Sequence, residues 1–235
     1  MKVQTISIII PTLNEAENVK RLIHFFAEVR ENHLSKVIIA DSPDSTDMLR
    51  DTLTSENTEY HRTKGRGRAI QMNEGAALAG GDILVFLHAD VIPPDSFIQD
   101  IMKAIRDGYV FGFFSYRFEP SIFMLKVNES FTQRDGWFAG GGDQIQFMTR
   151  TMYDQLNGYN EDFCVMEDFE LIRRVRKLNL PYKIIQNPAT VSARKYHQNS
   201  WLKVNLVNLA AFILFKFSIK PITIKSFYSR YIKLA

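Results

Sequence analysis

The apolar positions of the chain fall into short unbroken runs that alternate with amphipathic stretches. Ile6 to Ile10 reads as a buried strand stopped by Pro11. In the polar stretch Thr12-Leu13-Asn14-Glu15, Asn14 is placed to cap a helix running to about Arg30, with Val19, Leu22, Ile23 and Phe26 at helical spacing. Val37 to Ala40 is a second strand, and the polar loop Asp41 to Asp47 opens the next helix. Strands that are apolar throughout belong to sheets covered on both faces, and this β-α-β-α rhythm predicts a parallel sheet with right-handed crossovers, an α/β fold. A third run, Leu84 to Leu87, follows the turn Gly80-Gly81-Asp82 and breaks off in His88-Ala89-Asp90, then Pro93-Pro94.

Beyond Pro94 the pattern changes. Ser96 to Arg106 predicts a helix, and the aromatic-rich Val110 to Phe118 predicts a strand at an antiparallel edge. A helix over Ser121 to Phe131, a glycine-rich loop over Gly136 to Gly142 and a strand over Gln144 to Met148 come next. Gly158-Tyr159 marks a turn, and Val165 to Leu171 leads into a helix through Arg176. From Trp201 on, Val204, Val207, Ala211, Leu214 and Phe215 recur at helical spacing. The uncharged apolar stretch Val204 to Phe215 is shorter than the ~20 residues a spanning helix needs. Residues 201–235 therefore read as a helical extension of a 1–200 domain.

The loops after the strands carry the candidate chemistry. Open α/β sheets bind ligands at the carboxyl ends of their strands. There Asp41 and Glu15 could hold a nucleotide base and ribose, and helix capping is the alternative for either carboxylate. Lys64-Gly65-Arg66-Gly67-Arg68 precedes a helical Ile70 to Ala76 and could receive phosphates through backbone amides and guanidinium forks. It is not a Walker A loop, which needs a different glycine spacing and a terminal Lys-Ser/Thr. Asp90 beside His88 brings two metal-ligand types to one strand end. Glu167, Asp168 and Glu170 at a helix start complement the helix dipole or supply an acid cluster. His24, His33, His61 and His197 read as surface or packing residues.

Charge sharpens this picture. The net charge is only +3, yet all 26 acidic residues lie at or before Glu170, and the chain beyond it carries basic charges alone. Such asymmetry points to an anionic partner: a diphosphate, a membrane surface or nucleic acid. No nucleic-acid recognition motif is present, and the acidic body argues against that partner. The single cysteine, Cys164, excludes an internal disulfide and a cysteine-based zinc site, and it suits a reducing cytoplasm. Met1 to Thr5 leads straight into the first strand without the pattern of a signal peptide.

Taken together, these residues resemble the inverting family 2 glycosyltransferases of the GT-A fold, over roughly residues 5 to 200. Pro11-Thr12-Leu13-Asn14-Glu15 is similar to that family's first-strand motif, and Asp41 through Asp47 to its nucleotide loop, with Ser42-Pro43-Asp44 where Gly-Gly is more usual. Leu87-His88-Ala89-Asp90 falls at its Asp-x-Asp and Glu167-Asp168 at its late acidic pair. Gly67-Arg68-Ala69, Gln71-Met72-Asn73 and Gly142-Asp143-Gln144 resemble, more narrowly, the small bacterial transferases associated with radical-SAM and selenodomain proteins.

The resemblance implies a mostly parallel, Rossmann-like mixed sheet flanked by helices. It implies transfer of a sugar from a nucleotide-diphosphate donor to a hydroxyl acceptor, with Mg²⁺ or Mn²⁺ as cofactor. In that assignment Pro11, Thr12, Asn14, Glu15, Asp41 and Arg68 bind the nucleotide, and Asp90 with His88 holds the metal. Asp168 is the general base with Glu167 beside it, and Gly141, Gly142 and Asp143 line the acceptor. His88 stands where the first Asp of the metal motif is usual, and the Gln-x-x-Arg-Trp motif of processive synthases is absent near Arg194-Lys195-Tyr196. Transfer is therefore expected to be non-processive. A nucleotidyltransferase is the alternative enzyme, but its Gly-rich basic signature after the first strand is replaced by Thr12-Leu13-Asn14-Glu15. The C-terminal extension is expected to pack on the catalytic domain, to join a second subunit as a homodimer, or to make a peripheral membrane contact that reaches a lipid-linked acceptor.

Overall fold

The computed structural model describes residues 4–28, 33–49, 57–141 and 143–233. Four parallel strands form its first half: β1 (Ile6–Thr12), β2 (Leu34–Asp41), β3 (Thr58–Arg62) and β4 (Ile83–Phe86). Helices α1 (Ala16–Glu28) and α2 (Arg68–Leu78) connect them. Every residue of β1 is buried because the sheet is covered on both faces. Alternate side chains serve the two layers. Ile6, Ile8 and Ile10 join Val85 and the α1 residues Val19 and Leu22, whereas Ile9 joins Leu84, Phe86 and the α2 residues Ala69 and Met72.

Pro11 does not stop the strand, which continues in register with β2 to Thr12 opposite Asp41. The Ile9 carbonyl accepts from Leu87 on the β4 side, so the ring nitrogen of Pro11, two residues on, faces that same side. Strand β4 has ended there at Phe86, and the missing donor costs no ladder bond. Asn14 is not the cap of α1. It sits at φ 56°, and its side-chain oxygen accepts from the Thr46 amide (2.8 Å). The exposed amide of Ala16 is instead met by Asp47 (2.7 Å), from the loop after β2. The end of α1 near Arg30 and the helix expected after Asp47 lie largely outside the described residues.

The second half adds β5 (Val91–Ile92), α3 (Phe97–Arg106), β6 (Phe111–Glu119), α4 (Leu125–Thr132), β7 (Gln146–Thr149), α5 (Arg150–Gln155), α6 (Glu167–Lys177) and β8 (Lys183–Ser192). The eight strands run in the order β3-β2-β1-β4-β7-β6-β8-β5. Strand β6 is therefore interior, antiparallel to β7 and parallel to β8, and not the edge its aromatic run suggested. Its partner β8 is hidden in the sequence. Phe114 pairs with Ile185 but Tyr116 with Ala189, so β8 bulges across residues 186–188, where Pro188 sits and the alternation breaks.

The chain continues as α7 (Lys195–Gln198), α8 (Trp201–Lys216) and α9 (Pro221–Tyr231). Ser200 caps α8 by accepting from the Lys203 amide (3.4 Å). Ala211, Phe212 and Phe215 of α8 and Ile224 of α9 bury themselves with Phe163, Val165 and Phe169, just ahead of and within α6. Among the described residues no helix is long and apolar enough to cross a membrane.

Candidate active site

The ends of β1 and β2 converge on one carboxylate. Asp41 is fully buried and accepts from Thr12 Oγ1 (2.9 Å), Tyr60 Oη (3.0 Å) and Arg62 Nη1 (3.0 Å). A carboxylate offers about four lone-pair sites, so these three bonds leave one open. Neither Tyr60 nor Arg62 is suggested by the sequence, because Thr58 to Arg62 has no apolar run to mark a strand. The Gly65–Gly67 loop is held differently from its sequence reading. Glu74, one helix turn and a half into α2, accepts from the amides of Lys64 (3.0 Å) and Gly65 (3.2 Å) and contacts His61 Nε2 (2.7 Å). Arg66 Nε donates to both oxygens of Asp44 (2.8 and 2.9 Å). Those amides and that guanidinium are thus engaged by the protein, and Arg68 is the loop's cation directed at the acid cluster.

That cluster forms where β4, the β7 approach and α6 meet. Arg68 Nε lies 2.7 Å from Glu167 Oε1, a fully buried carboxylate that no donor meets in good hydrogen-bond alignment. His88 Nε2 stands 3.9 Å from Asp168 Oδ2, with both residues almost fully buried. Burial disfavours a charged His88, but Asp168 and Asp143 outweigh it and raise the imidazole above its ordinary pKa. Burial and the neighbouring Asp143 likewise raise Asp90, and burial raises Glu167 against the pull of Arg68. Met166 adopts a left-handed φ of 64° immediately before this pair of acids, turning the chain into α6.

Two features tie distant segments to the cluster. Arg194 pairs with Glu15 (2.5 Å) and stands 3.6 Å from Asp90, linking the first-strand motif to the metal-type acid. Lys195 contacts the Tyr228 ring of α9 (5.8 Å), and Asp143 favours its charged form against burial. The sequence marked Arg194-Lys195 only as a place without a synthase motif, since nothing local reveals a partner 179 residues away.

The glycine loop is fixed by its own glutamines. Gln144 Nε2 donates to the Phe114 carbonyl (2.8 Å), and its Oε1 accepts from the Gly140 amide (2.5 Å). At Gly141 a Cβ would stand 2.2 Å from the Phe169 ring, so only glycine lets this loop close on the residue after Asp168. Gly142 lies outside the described residues.

Asp90 is a hard oxygen ligand of the kind that suits Mg²⁺ or Mn²⁺, and His88, a second metal-ligand type, lies near enough to favour its charged form. Among the described residues no three His, Cys, Asp or Glu side chains form a ready-made cage. A cation that draws its remaining ligands from substrate phosphates needs only one or two protein ligands.

A parallel first half, a mixed second half and acids gathered at the strand ends define a transferase of the GT-A kind. The chain belongs to glycosyl transferase family 2, whose model matches residues 7–175. Over 107 residues it is 33% identical to the dolichol-phosphate mannosyltransferase of Pyrococcus furiosus, covering 44% of this chain and 30% of that protein. It is 25% identical to glycosyltransferase AglD of Haloferax volcanii over 112 residues, 44% of this chain and 18% of the relative. The matches thus span less than a third of either relative. The fold is similar to mannosyltransferase PcManGT from Pyrobaculum calidifontis, solved with GDP-Man and Mn²⁺, at TM-score 0.66 and 18% identity over 90% of this chain and 62% of that one. Glucosyl-3-phosphoglycerate synthase from Mycobacterium tuberculosis, solved with Mn²⁺, UDP and glucosyl-3-phosphoglycerate, gives TM-score 0.63 and 16% identity over 90% and 79% of the two chains.

Proposed function

We propose that this family 2 glycosyltransferase moves a single hexosyl group from a nucleotide-diphosphate sugar to a hydroxyl acceptor, with inversion and without processive elongation. The observation that carries the reading is the meeting of Asp168 with Arg68, His88 and Asp90 beside the ends of β1 and β2. The finer resemblance, to the transferases associated with radical-SAM and selenodomain proteins, rests on the Arg68 to Asn73 and Gly142 to Gln144 phrases.

The residues divide the work by position. Pro11, Thr12 and Asn14 form the base side with Asp41, which Thr12, Tyr60 and Arg62 hold in place. Glu15 serves the ribose side. Arg68 supplies a fixed cation to the donor diphosphate, where charge develops as the anomeric bond breaks. Asp90 and His88 would hold Mg²⁺ or Mn²⁺, which supplies further positive charge for the leaving diphosphate. Mn²⁺ in the PcManGT and glucosyl-3-phosphoglycerate synthase complexes supports that assignment. Asp168 takes the proton of the acceptor hydroxyl as it attacks the anomeric carbon in line. Its neighbour Glu167 anchors Arg68, and Gly141, Gly142 and Asp143 form the acceptor side. The Pyrococcus furiosus relative, named for dolichol phosphate, supports a lipid-linked acceptor.

The test pairs binding with turnover. Asp168→Asn should retain nucleoside diphosphate binding while transfer falls by about 10²–10⁴-fold. Undiminished transfer by that variant overturns the base assignment. Release of pyrophosphate from a nucleoside triphosphate and a sugar 1-phosphate, with no sugar transfer from the nucleotide sugar, identifies a nucleotidyltransferase.

A further inference from the structure

Helix α8 is apolar on both sides. Val204, Val207, Ala211, Phe212 and Phe215 are buried against the body. On the opposite side Leu202, Leu206, Leu209 and Ile213 stand 45% to 61% exposed, and Phe217 prolongs the same stripe at 78%. Steps of three and four residues place these five on one face. A surface helix of a water-soluble domain carries polar residues there, whereas a helix apolar all round has a non-aqueous neighbour on each side.

The stripe is part of a larger surface. Asn128 of α4 accepts from Trp201 Nε1 (2.9 Å) and donates to Asn205 (2.8 Å), which fastens α4 beside α8. Phe123, Val127 and Phe131 project from that segment, 47% to 80% exposed. The Phe131 ring meets Phe138, which packs on Phe212 of α8 (4.8 Å between centroids). Trp137, 73% exposed, sits beneath the ammonium of Lys216 (5.6 Å). Contiguous apolar surface of this kind marks an interaction site.

Charge decides the partner. Lys203, Lys216, Lys220, Lys225 and Arg230 of α8, α9 and their turn are all exposed, and no acid follows Glu170. Of the acids near the α4 side, Glu129 accepts from the Phe118 amide (2.8 Å), and the exposed Asp135 is neutralised by Arg176 (2.9 Å). A second copy docked here would set these cations against their equals, whereas an anionic lipid surface complements them.

We propose that the exposed face of α8, with Phe123 to Phe131 and Trp137, docks in the plane of an anionic bilayer. The proposal gives the acceptor side its context and rests, for that purpose only, on the sugar-transfer reading. Phe212 touches Phe138 on the surface and Phe169 in the interior (5.2 Å), and Phe169 follows the base Asp168. The membrane-facing surface thus lies two rings away from the reacting end of α6, and an acceptor carried by lipid would reach the site from the bilayer.

Vesicle co-sedimentation of the full chain, without donor or acceptor, tests docking independently of catalysis. The expected result is binding to phosphatidylcholine vesicles containing one-third phosphatidylglycerol, at least tenfold weaker on phosphatidylcholine alone and weakened by salt. Leu206→Glu with Ile213→Glu, both on the exposed face, should reduce binding at least tenfold at an unchanged unfolding temperature. Trp137 fluorescence should shift to the blue with vesicles, and Trp137→Phe should lose that shift. Absence of binding to anionic vesicles, equal binding to neutral ones, or a concentration-dependent dimer abolished by the double variant with no vesicle binding overturns the proposal. None of these outcomes alters the expected loss of transfer in Asp168→Asn.

Discussion

The guanidinium of Arg68 lies 2.7 Å from Glu167 and feels Asp168, Asp143 and Asp90 as well. Glu167 is fully buried, so removing its counter-ion leaves a charge without water or partner. Breaking a deeply buried pair costs about 3–5 kcal/mol. The Arg68 side chain is 42% exposed, and solvent relieves part of that cost. Arg68→Gln should therefore destabilise the fold by about 1–3 kcal/mol in urea unfolding and lose donor diphosphate binding. Adding Glu167→Gln should restore most of the stability and none of the binding. A double variant no more stable than the single one refutes the pairing account. The residues of this site differed in how openly the sequence displayed them. Asp90 and Asp168 announce themselves as acids at the end of an apolar run and the start of a helix. Tyr60, Arg62 and Arg194 carry no local signal, because their role exists only across strand β3 or across the length of the fold.

Among the elements, α2 shows how a helix can shape the loop that precedes it. Burial pushes the Glu74 carboxyl up, but the hydrogen bonds from His61 and the amides of Lys64 and Gly65 outweigh this and hold its pKa below the usual range. A depressed carboxylate pKa stabilises the fold above the unfolded value of about 4.3 and loses that contribution as pH falls through the folded value. Glu74→Gln should cost about 1 kcal/mol at pH 7, after allowance for solvent screening, and the difference from the parent should shrink as pH falls from about 4.3 towards pH 2, through the depressed folded value. Denaturant unfolding at both pH values checks it; a difference that persists unchanged in acid rules out the charge as the cause. The same scale explains what the hydrophobic pattern could and could not disclose. Strands β1, β2 and β4 are visible because burial on both faces gives each an apolar run, Ile8 to Ile10, Val37 to Ala40 and Ile83 to Phe86. Strand β3 lies at the sheet edge, half-buried and polar, and β8 is broken by its Pro188 bulge, so neither shows a period. The interior place of β6 follows from β8, which is why its aromatic run reads as an edge without it.

At the scale of the whole molecule, α8 and α9 pack on the start of α6 and the residues just ahead of it. Phe212 is 4% exposed, and its ring sits between Phe138 and Phe169. Phe212→Ala should destabilise by about 3–5 kcal/mol, as buried Phe truncations do. Transfer should also slow beyond what the loss of folded protein explains, because Phe212 packs on Phe169, the residue after Asp168. Single-turnover rates measured well below the unfolding transition separate the two effects. A rate equal to the parent's would confine α8 to stability.

The Arg194–Glu15 contact joins residues 179 positions apart, and its cation also faces Asp90. Ribosomes add about 5–20 residues per second, so Glu15 waits roughly 9–36 s for its partner to emerge. Asp90 emerges 75 residues after Glu15 and 104 before Arg194, so the two acids stand together without the Arg194 charge for roughly 5–21 s. Sheet order enforces the same delay, since β7 must insert beside β4 before β6 and β8 can follow. A nascent chain thus completes the surroundings of Asp41 long before Arg194 can neutralise Glu15 and Asp90, so the last strand and the turn after it set the final charge of this end of the sheet.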